Sequence, residues 1–273
     1  TGSVDPEGNT VSYSYDWHLN GSSSGNTGAT LSASLTNKGE MWTVYATPND
    51  GTSDGTMGSA SITISNTSPT MGTVSITPAT GVYEDSLLTC SATATDPDET
   101  VTPSYEWFIG GNSVGSGSSL DLAAVGANPT DSVVCSATAT DSDGASATGS
   151  ASVTVDNRLP IVSSVVLSPT SVYTNDTLTA LATFADADAS QTVMGTYEWH
   201  VVDSSNGNTD SIVKVGLGNT LSGSTYFDRD DTVYVVVTPN DGVDDGNTLN
   251  SSLAPVLNSV PSAPVVSVSP NPA

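Results

Sequence analysis

Positive charge is almost absent from this chain. Lys38, Arg158, Lys214 and Arg229 are its only basic residues against 29 acidic ones, for a formal net charge of −25. Nucleic-acid backbones are gripped by Lys and Arg, so nucleic-acid binding is excluded. An anionic membrane surface would repel the chain. Aromatic residues make up 6% and apolar residues only 36%. No run of about 18 apolar residues occurs, so neither a transmembrane helix nor membrane insertion is expected in this segment. Residues 1–20 lack the basic start and apolar stretch of a signal peptide. No apolar period of 3.6 residues is sustained, so almost no helix is expected. Cysteine is limited to Cys90 and Cys135.

Gly, Ser, Thr, Asn and Asp fill much of the 273 residues. The length suggests two or three domains. The composition is too polar for one large core and suits several thin all-β sandwiches. The acidity fits solubility at high salt, metal cations as counter-ions, or repulsion that keeps a fibre extended.

Repeats organise the chain. Tyr13-Ser14-Tyr15-Asp16-Trp17 returns as Ser104-Tyr105-Glu106-Trp107 and Thr196-Tyr197-Glu198-Trp199, with Trp17, Trp107 and Trp199 spaced 90 and 92 residues apart. Thr47-Pro48-Asn49-Asp50-Gly51 returns as Thr238-Pro239-Asn240-Asp241-Gly242, with Thr140-Asp141-Ser142-Asp143-Gly144 between them. Val74-Ser75-Ile76-Thr77-Pro78, Val165-Val166-Leu167-Ser168-Pro169 and Val266-Ser267-Val268-Ser269-Pro270 mark boundaries. Three motifs in one order at one period predict sandwich repeats of about 90–100 residues. The units are 1–68, 69–159, 160–260 and 261–273. In the third, strands are expected at Val165–Leu167, Thr177–Phe184, Tyr197–Val201, Thr232–Thr238 and Leu249–Val256. Tyr197, Trp199 and Val201 should face inward, with Glu198 and His200 outward. The first unit lacks its first strand, and 261–273 reads as the first strand of a following repeat. The chain is then either a window from a longer array or a subunit whose last strand completes a neighbour; the window is favoured.

Cys90, Trp107 and Cys135 have the order and spacing of an immunoglobulin-like domain, in which two cysteines on facing sheets bracket a core Trp. Together with the Tyr-x-Trp strands and Asp-Gly turns, they resemble the Ig-like, PKD-like and cadherin-like tandem repeats of large bacterial or archaeal surface proteins. The aromatic-Gly-Asp-Gly turn of PKD repeats is replaced by Leu19-Asn20-Gly21, Ile109-Gly110-Gly111 and Val201-Val202-Asp203. The resemblance implies a linear array in which each unit contacts mainly its neighbours. Cys90 and Cys135 align with the apolar Ala180 and Val233, so they are expected to be buried and, in an oxidising compartment, bonded; two free core thiols are the alternative.

Acidic turns are the candidate metal sites. Asp96, Asp98, Glu99, Asp141 and Asp143 should converge near residues 66–70, and Asp186, Asp188 and Asp241 near Asp156 and Asn157. Ca²⁺ takes six to eight oxygen ligands and would stiffen such junctions. The plainer reading is that Asp suits turns by bonding its own backbone. Trp17, Trp107 and Trp199 are expected in the core, while Trp42 is the candidate for stacking on carbohydrate. His18 and His200 are expected at the surface. Asn20, Asn66, Asn175 and Asn250 begin glycosylation sequons. Gly21-Ser22-Ser23-Ser24-Gly25 and Gly111-Asn112-Ser113-Val114-Gly115 fit Gly-x-Ser-x-Gly but lack the strand–turn–helix context of a nucleophile elbow. The chain is therefore read as non-enzymatic: a structural segment of an extracellular or cell-surface filament, stalk or spacer, partnered end to end by copies of itself or neighbouring repeats. An adhesin binding glycans or a cell-surface protein, and an accessory module array of a secreted enzyme, are the alternatives.

Overall fold

Alternating apolar and polar side chains build antiparallel strands, and Gly at positive φ turns them. The structure, a computed structural model, describes residues 2–269. The first repeat holds β1 (Ser12–Leu19), β2 (Ser22–Asn26), β3 (Met41–Asn49) and β4 (Gly58–Thr63), in one sheet of order β2-β1-β3-β4. Asn20 (φ 49°) and Gly21 (φ 89°) make the tight β1–β2 hairpin that an Asn-Gly pair favours.

The middle repeat holds β5 (Thr70–Thr77), β6 (Leu87–Thr95), β7 (Ser104–Ile109), β8 (Asn112–Ser116), β9 (Ser119–Asp121), β10 (Ser132–Thr140) and β11 (Ser146–Thr154). These form sheets β5-β6-β9 and β11-β10-β7-β8. A disulfide joins Cys90 on β6 to Cys135 on β10, tying the two sheets together. Cys135 stands opposite Trp107, which is 0% exposed.

The third repeat holds β12 (Ile161–Ser168), β13 (Val172–Tyr173), β14 (Thr177–Ala185), β15 (Met194–Asp203), β16 (Thr209–Gly216), β17 (Thr220–Ser222), β18 (Thr232–Asn240), β19 (Leu249–Asn250) and β20 (Ala254–Leu257). Its sheets run β12-β14-β17 and β13-β20-β18-β15-β16, with β19 also on β18. One core spans both: Val165, Leu167, Leu178 and Ala180 from one sheet meet Trp199, Val233, Val235 and Val237 from the other. Tyr197, Trp199 and Val201 are buried, and Glu198 and His200 lie on the opposite face, as the period of two requires.

Some expectations change. Val235, not Val233, stands opposite Trp199, so Val235 is the counterpart of Cys135. A two-residue error keeps the same sheet face, which is why Val233 is apolar as well. The last strand of the third repeat is broken into β19 and β20. Residues 258–269 form no strand, and Pro270–Ala273 lie outside the described residues. Helix is confined, among the described residues, to turns of three or four residues.

By its contacts the chain divides into two compact units, one of Thr1–Ala79, Leu87–Leu120 and Val133–Val153, the other of Thr80–Ser86, Asp121–Ser132 and Thr154–Ala273. The dividing line cuts through the middle repeat. Each repeat junction therefore lies wholly inside one unit.

Candidate functional site

The junctions are where acidic turns meet the linker from the preceding repeat. In the first unit, Asp96 Oδ1 accepts the N–H groups of Asp98 and Glu99 and shapes their turn. This leaves Asp98 Oδ2 to accept the Thr67 N–H at 2.6 Å. Asp141 is buried; its Oδ1 caps the Asp143 and Ala145 N–H groups, and its Oδ2 accepts from Asn66 Nδ2 at 2.8 Å. The Asn66 amide is the main reason that the Asp141 carboxyl is held below the ordinary carboxylate value. Glu99 accepts the Ser142 N–H, and Asp143 forms an ion pair with Lys38.

The second unit repeats the two linker contacts. Asp186 Oδ1 accepts the Asp188 N–H, and Asp188 Oδ2 accepts the Arg158 N–H at 2.6 Å. Asp241 Oδ1 caps the Val243 and Asp244 N–H groups, and its Oδ2 accepts from Asn157 Nδ2 at 2.9 Å. Asp244 Oδ2 shares that amide at 3.1 Å, and Asn157 Oδ1 accepts from Gln191. The Arg158 guanidinium lies 4.2 Å from the Tyr83 ring centroid and pairs with Asp85 and with the fully buried Asp188 carboxylate. Gly246 lies so close to the Pro160 carbonyl that any Cβ would collide with it. Asp156 is exposed, and its N–H donates to Val82 O.

Both junctions leave buried acceptor oxygens with no donor: Asn66 Oδ1 and Asp96 Oδ2 at one, Asp186 Oδ2 and Gln191 Oε1 at the other. A buried acceptor without a donor is costly, so each such group needs a partner. These donor sets are all oxygen, which suits a hard cation such as Ca²⁺. Among the described residues no three His, Cys, Asp or Glu side chains form a ready-made metal cluster. A cation here would therefore draw on amide and carbonyl oxygens alongside the carboxylates.

Sequence reading missed the linker itself. Asn66-Thr67-Ser68-Pro69, Asn157-Arg158-Leu159-Pro160 and Asn258-Ser259-Val260-Pro261 form a fourth recurring motif, Asn-x-x-Pro, visible in the sequence at 91- and 101-residue spacings. The other candidates fall elsewhere. Trp42 is 2% exposed, its indole N–H donating to Glu40, so it offers no face to a sugar. Trp17 is half-buried. His18 lies between Asp16 and the Tyr45 ring, and His200 between Glu198 and Asp210, stacked on Tyr234. The bond it donates to Asp210 pushes the Tyr234 phenol up to about 12. Asn20, Asn175 and Asn250 are exposed, whereas the Asn66 amide is engaged at the junction. The segments 21–25 and 111–115 lie on the hairpin strands β2 and β8, with no helix following either.

No protein-family model and no curated protein sequence matches this chain. Among solved structures it is similar to three N-terminal domains of the Highly Immunogenic Outer Capsid protein (Hoc) of bacteriophage RB49, at 13% identity over 94% of this chain and 92% of that one, TM-score 0.29. It is similar to a structure from a 1.5-MDa bacterial ice-binding adhesin, at 16% identity over 92% and 88%, TM-score 0.37. It is also similar to a Ca²⁺-stabilized adhesin with which an Antarctic bacterium binds ice, at 16% identity over 92% and 66%, TM-score 0.28. The fold rests on the strand pairing above. It is that of tandem immunoglobulin-like β-sandwich repeats, acidic and carrying one disulfide.

Proposed function

We propose that this chain is a structural, non-catalytic segment of an extended extracellular or cell-surface filament, stalk or spacer, and that calcium stiffens its repeat junctions. Its units are 1–68, 69–159, 160–260 and the start of another from 261. The observation that carries this is the twice-used junction: an Asn-x-x-Pro linker held by two carboxylates, with buried acceptor oxygens left over at each copy. A bound cation would satisfy those oxygens, offset the crowding of acidic groups and restrict bending between repeats. Asp96, Asp98, Asp141 and Asn66 would hold it at one junction, and Asp186, Asp188, Asp241 and Gln191 at the other. Calcium at about a hundredfold excess over its Kd should raise the unfolding midpoint by roughly 10 °C. A midpoint unmoved by calcium and chelator would end the calcium reading. Imaging tests the filament: strongly bent, compact particles in calcium would count against it.

The adhesin reading keeps one observation in its favour. Ser14, Tyr15, Asp16, His18, Tyr45, Thr47 and Met57 line a hollow of about 460 Å³ on the first repeat. Its ring edges and carboxylate suit a glycan. A glycan array on which the Tyr45→Ala variant and the parent chain give the same blank result would remove it.

A further inference from the structure

The outermost strand beside each Tyr-x-Trp strand differs among the repeats. β2 (Ser22–Asn26) and β8 (Asn112–Ser116) have five residues each, with Val114 their only large apolar side chain. β16 (Thr209–Gly216), in the same place in the third repeat, has eight, with Ile212, Val213 and Val215 among them. A bulge after Trp17, Trp107 and Trp199 is common to all three strand pairs, so it does not account for the difference. An edge strand leaves a row of backbone groups unpaired, and short length, Pro or an outward charge usually guards it. β16 has no Pro. Its Lys214 turns to donate to Thr220 O at 2.7 Å, and its Asp210 is held by Tyr234 and His200. Among the described residues no hydrogen bond from outside β15 reaches the backbone of residues 211–215.

The two faces of this edge call for different side chains. Paired residues share a face, so Ile212 lies outward with His200 and Val215 outward with Glu198. They are 55% and 58% exposed. On the inner side Ser211 and Val213 border a hollow of about 250 Å³, where Asp203, Asp228 and Asp231 outnumber Arg229. Asp228 gives its N–H to Asp231, while among the described residues its exposed carboxylate accepts no hydrogen bond. One face of the edge is thus apolar and the other anionic.

We propose that β16 is a docking edge for an extended peptide strand in which apolar residues alternate with Lys or Arg. The strand adds to the sheet through the free N–H and C=O groups of β16. Its apolar side chains cover Ile212 and Val215, and its cations, on the opposite face, reach Asp228 in the hollow. A second copy of this chain is the poorer occupant, because each carries a net charge of −25 and would repel the other.

Calorimetric titration of the full chain with an eight-residue peptide of alternating Val and Lys tests this, in about 0.15 M salt to screen the bulk charge. Saturable one-to-one binding is expected, with amide exchange slowed at residues 211–215. A peptide of the same composition with its Val and Lys in two blocks has the same charge but no alternation. It should bind at least about tenfold more weakly. Ile212→Thr with Val215→Thr should weaken the alternating peptide about tenfold. Both side chains are exposed and Thr suits a strand, so the unfolding midpoint should not move. Asp228→Asn removes one charge among 29 acids and should still weaken binding about threefold, because that charge is local. No binding, equal binding of the block peptide, or exchange at 211–215 left unchanged overturns the proposal. So does self-association of the chain that disappears in the Ile212→Thr, Val215→Thr variant, which would make a second copy the occupant.

Discussion

The middle and third repeats solve one packing problem in two ways. Where the middle repeat has Cys90 and Cys135, the third has Ala180 and Val235, all four buried. The substitution does not come alone. Ala127 and Ala137 of the middle repeat correspond to Phe227 and Val237 of the third, again all buried. Phe227 and Val237 add a phenyl group and two methyl groups, but the smaller Gly223 and Ala254 stand where the middle repeat has the buried Leu122 and Val153. The net gain is about two carbons, or roughly 2 kcal/mol of apolar burial at about 0.8 kcal/mol each. The middle repeat has a covalent tie instead. The disulfide spans 45 residues, which on the chain-entropy model is worth about 4 kcal/mol. The bond is worth more than the net bulk that stands in for it, so the middle repeat leans on it to hold its sheets face to face.

The sharpest way to test this contrast is to remove the bond. Cys90→Ala with Cys135→Val gives the middle repeat the third repeat's residues without Phe227 or Val237. It should destabilise the middle repeat by about 4 kcal/mol, seen in calorimetry as a transition that drops away from that of the third repeat. If both transitions hold their places, the bond is not what holds the middle repeat's sheets together.

A smaller contrast lies in the core tryptophans. Trp107 donates its indole N–H to Gly117 O at 2.9 Å, whereas the buried Trp199 N–H has no partner. Replacement by Phe costs Trp107 a hydrogen bond and leaves the Gly117 carbonyl without one, while it relieves Trp199 of an orphaned donor. Trp107→Phe should therefore be more destabilising than Trp199→Phe by about 1 kcal/mol, measured by chemical denaturation of the two variants.

The smallest effect is in pH. Asp141 lies below the ordinary carboxylate value of 3.8 chiefly because Asn66 donates to it. Burial pushes Asp241 up, but the Asp244 N–H and the Asn157 amide outweigh it and leave it lowered as well. A depressed carboxylate lends stability above its unfolded pKa and loses it as pH falls through the folded value. Both junctions should thus loosen below about pH 4. Asn66→Ala should return Asp141 toward 3.8 more fully than Asn157→Ala returns Asp241. Carboxyl-carbon NMR titration reads both.

Much of this was legible in the residues. The Tyr-x-Trp strands, the period and the turns followed from alternation and Asp-Gly pairs alone. The counterpart of Cys135 was misplaced because Asp-Gly pairs served as the ruler. Gly144 lies three residues after the capping Asp141, but Gly242 directly follows Asp241, so the glycines are not equivalent while the caps are. The partition of the junction acids was not legible either. Which oxygen caps a turn, which takes a linker amide and which is left without a donor depends on rotamers set by packing around Asn66 and Asn157. Burial of Trp42 was not legible either, because its place under the fold and the Glu40 carboxylate that meets its indole N–H are set by packing.

The 45-residue span of the disulfide also bears on mechanics. When tension is applied along a chain of repeats, an unfolded domain lengthens by roughly 3.4 Å for each residue set free. The residues between Cys90 and Cys135 are short-circuited by the bond, so about 150 Å of slack stays locked away in the middle repeat. The third repeat has no such stop and can pay out its whole length. Pulled from its ends, this chain would extend by unequal steps, with a short, covalently limited one from its centre.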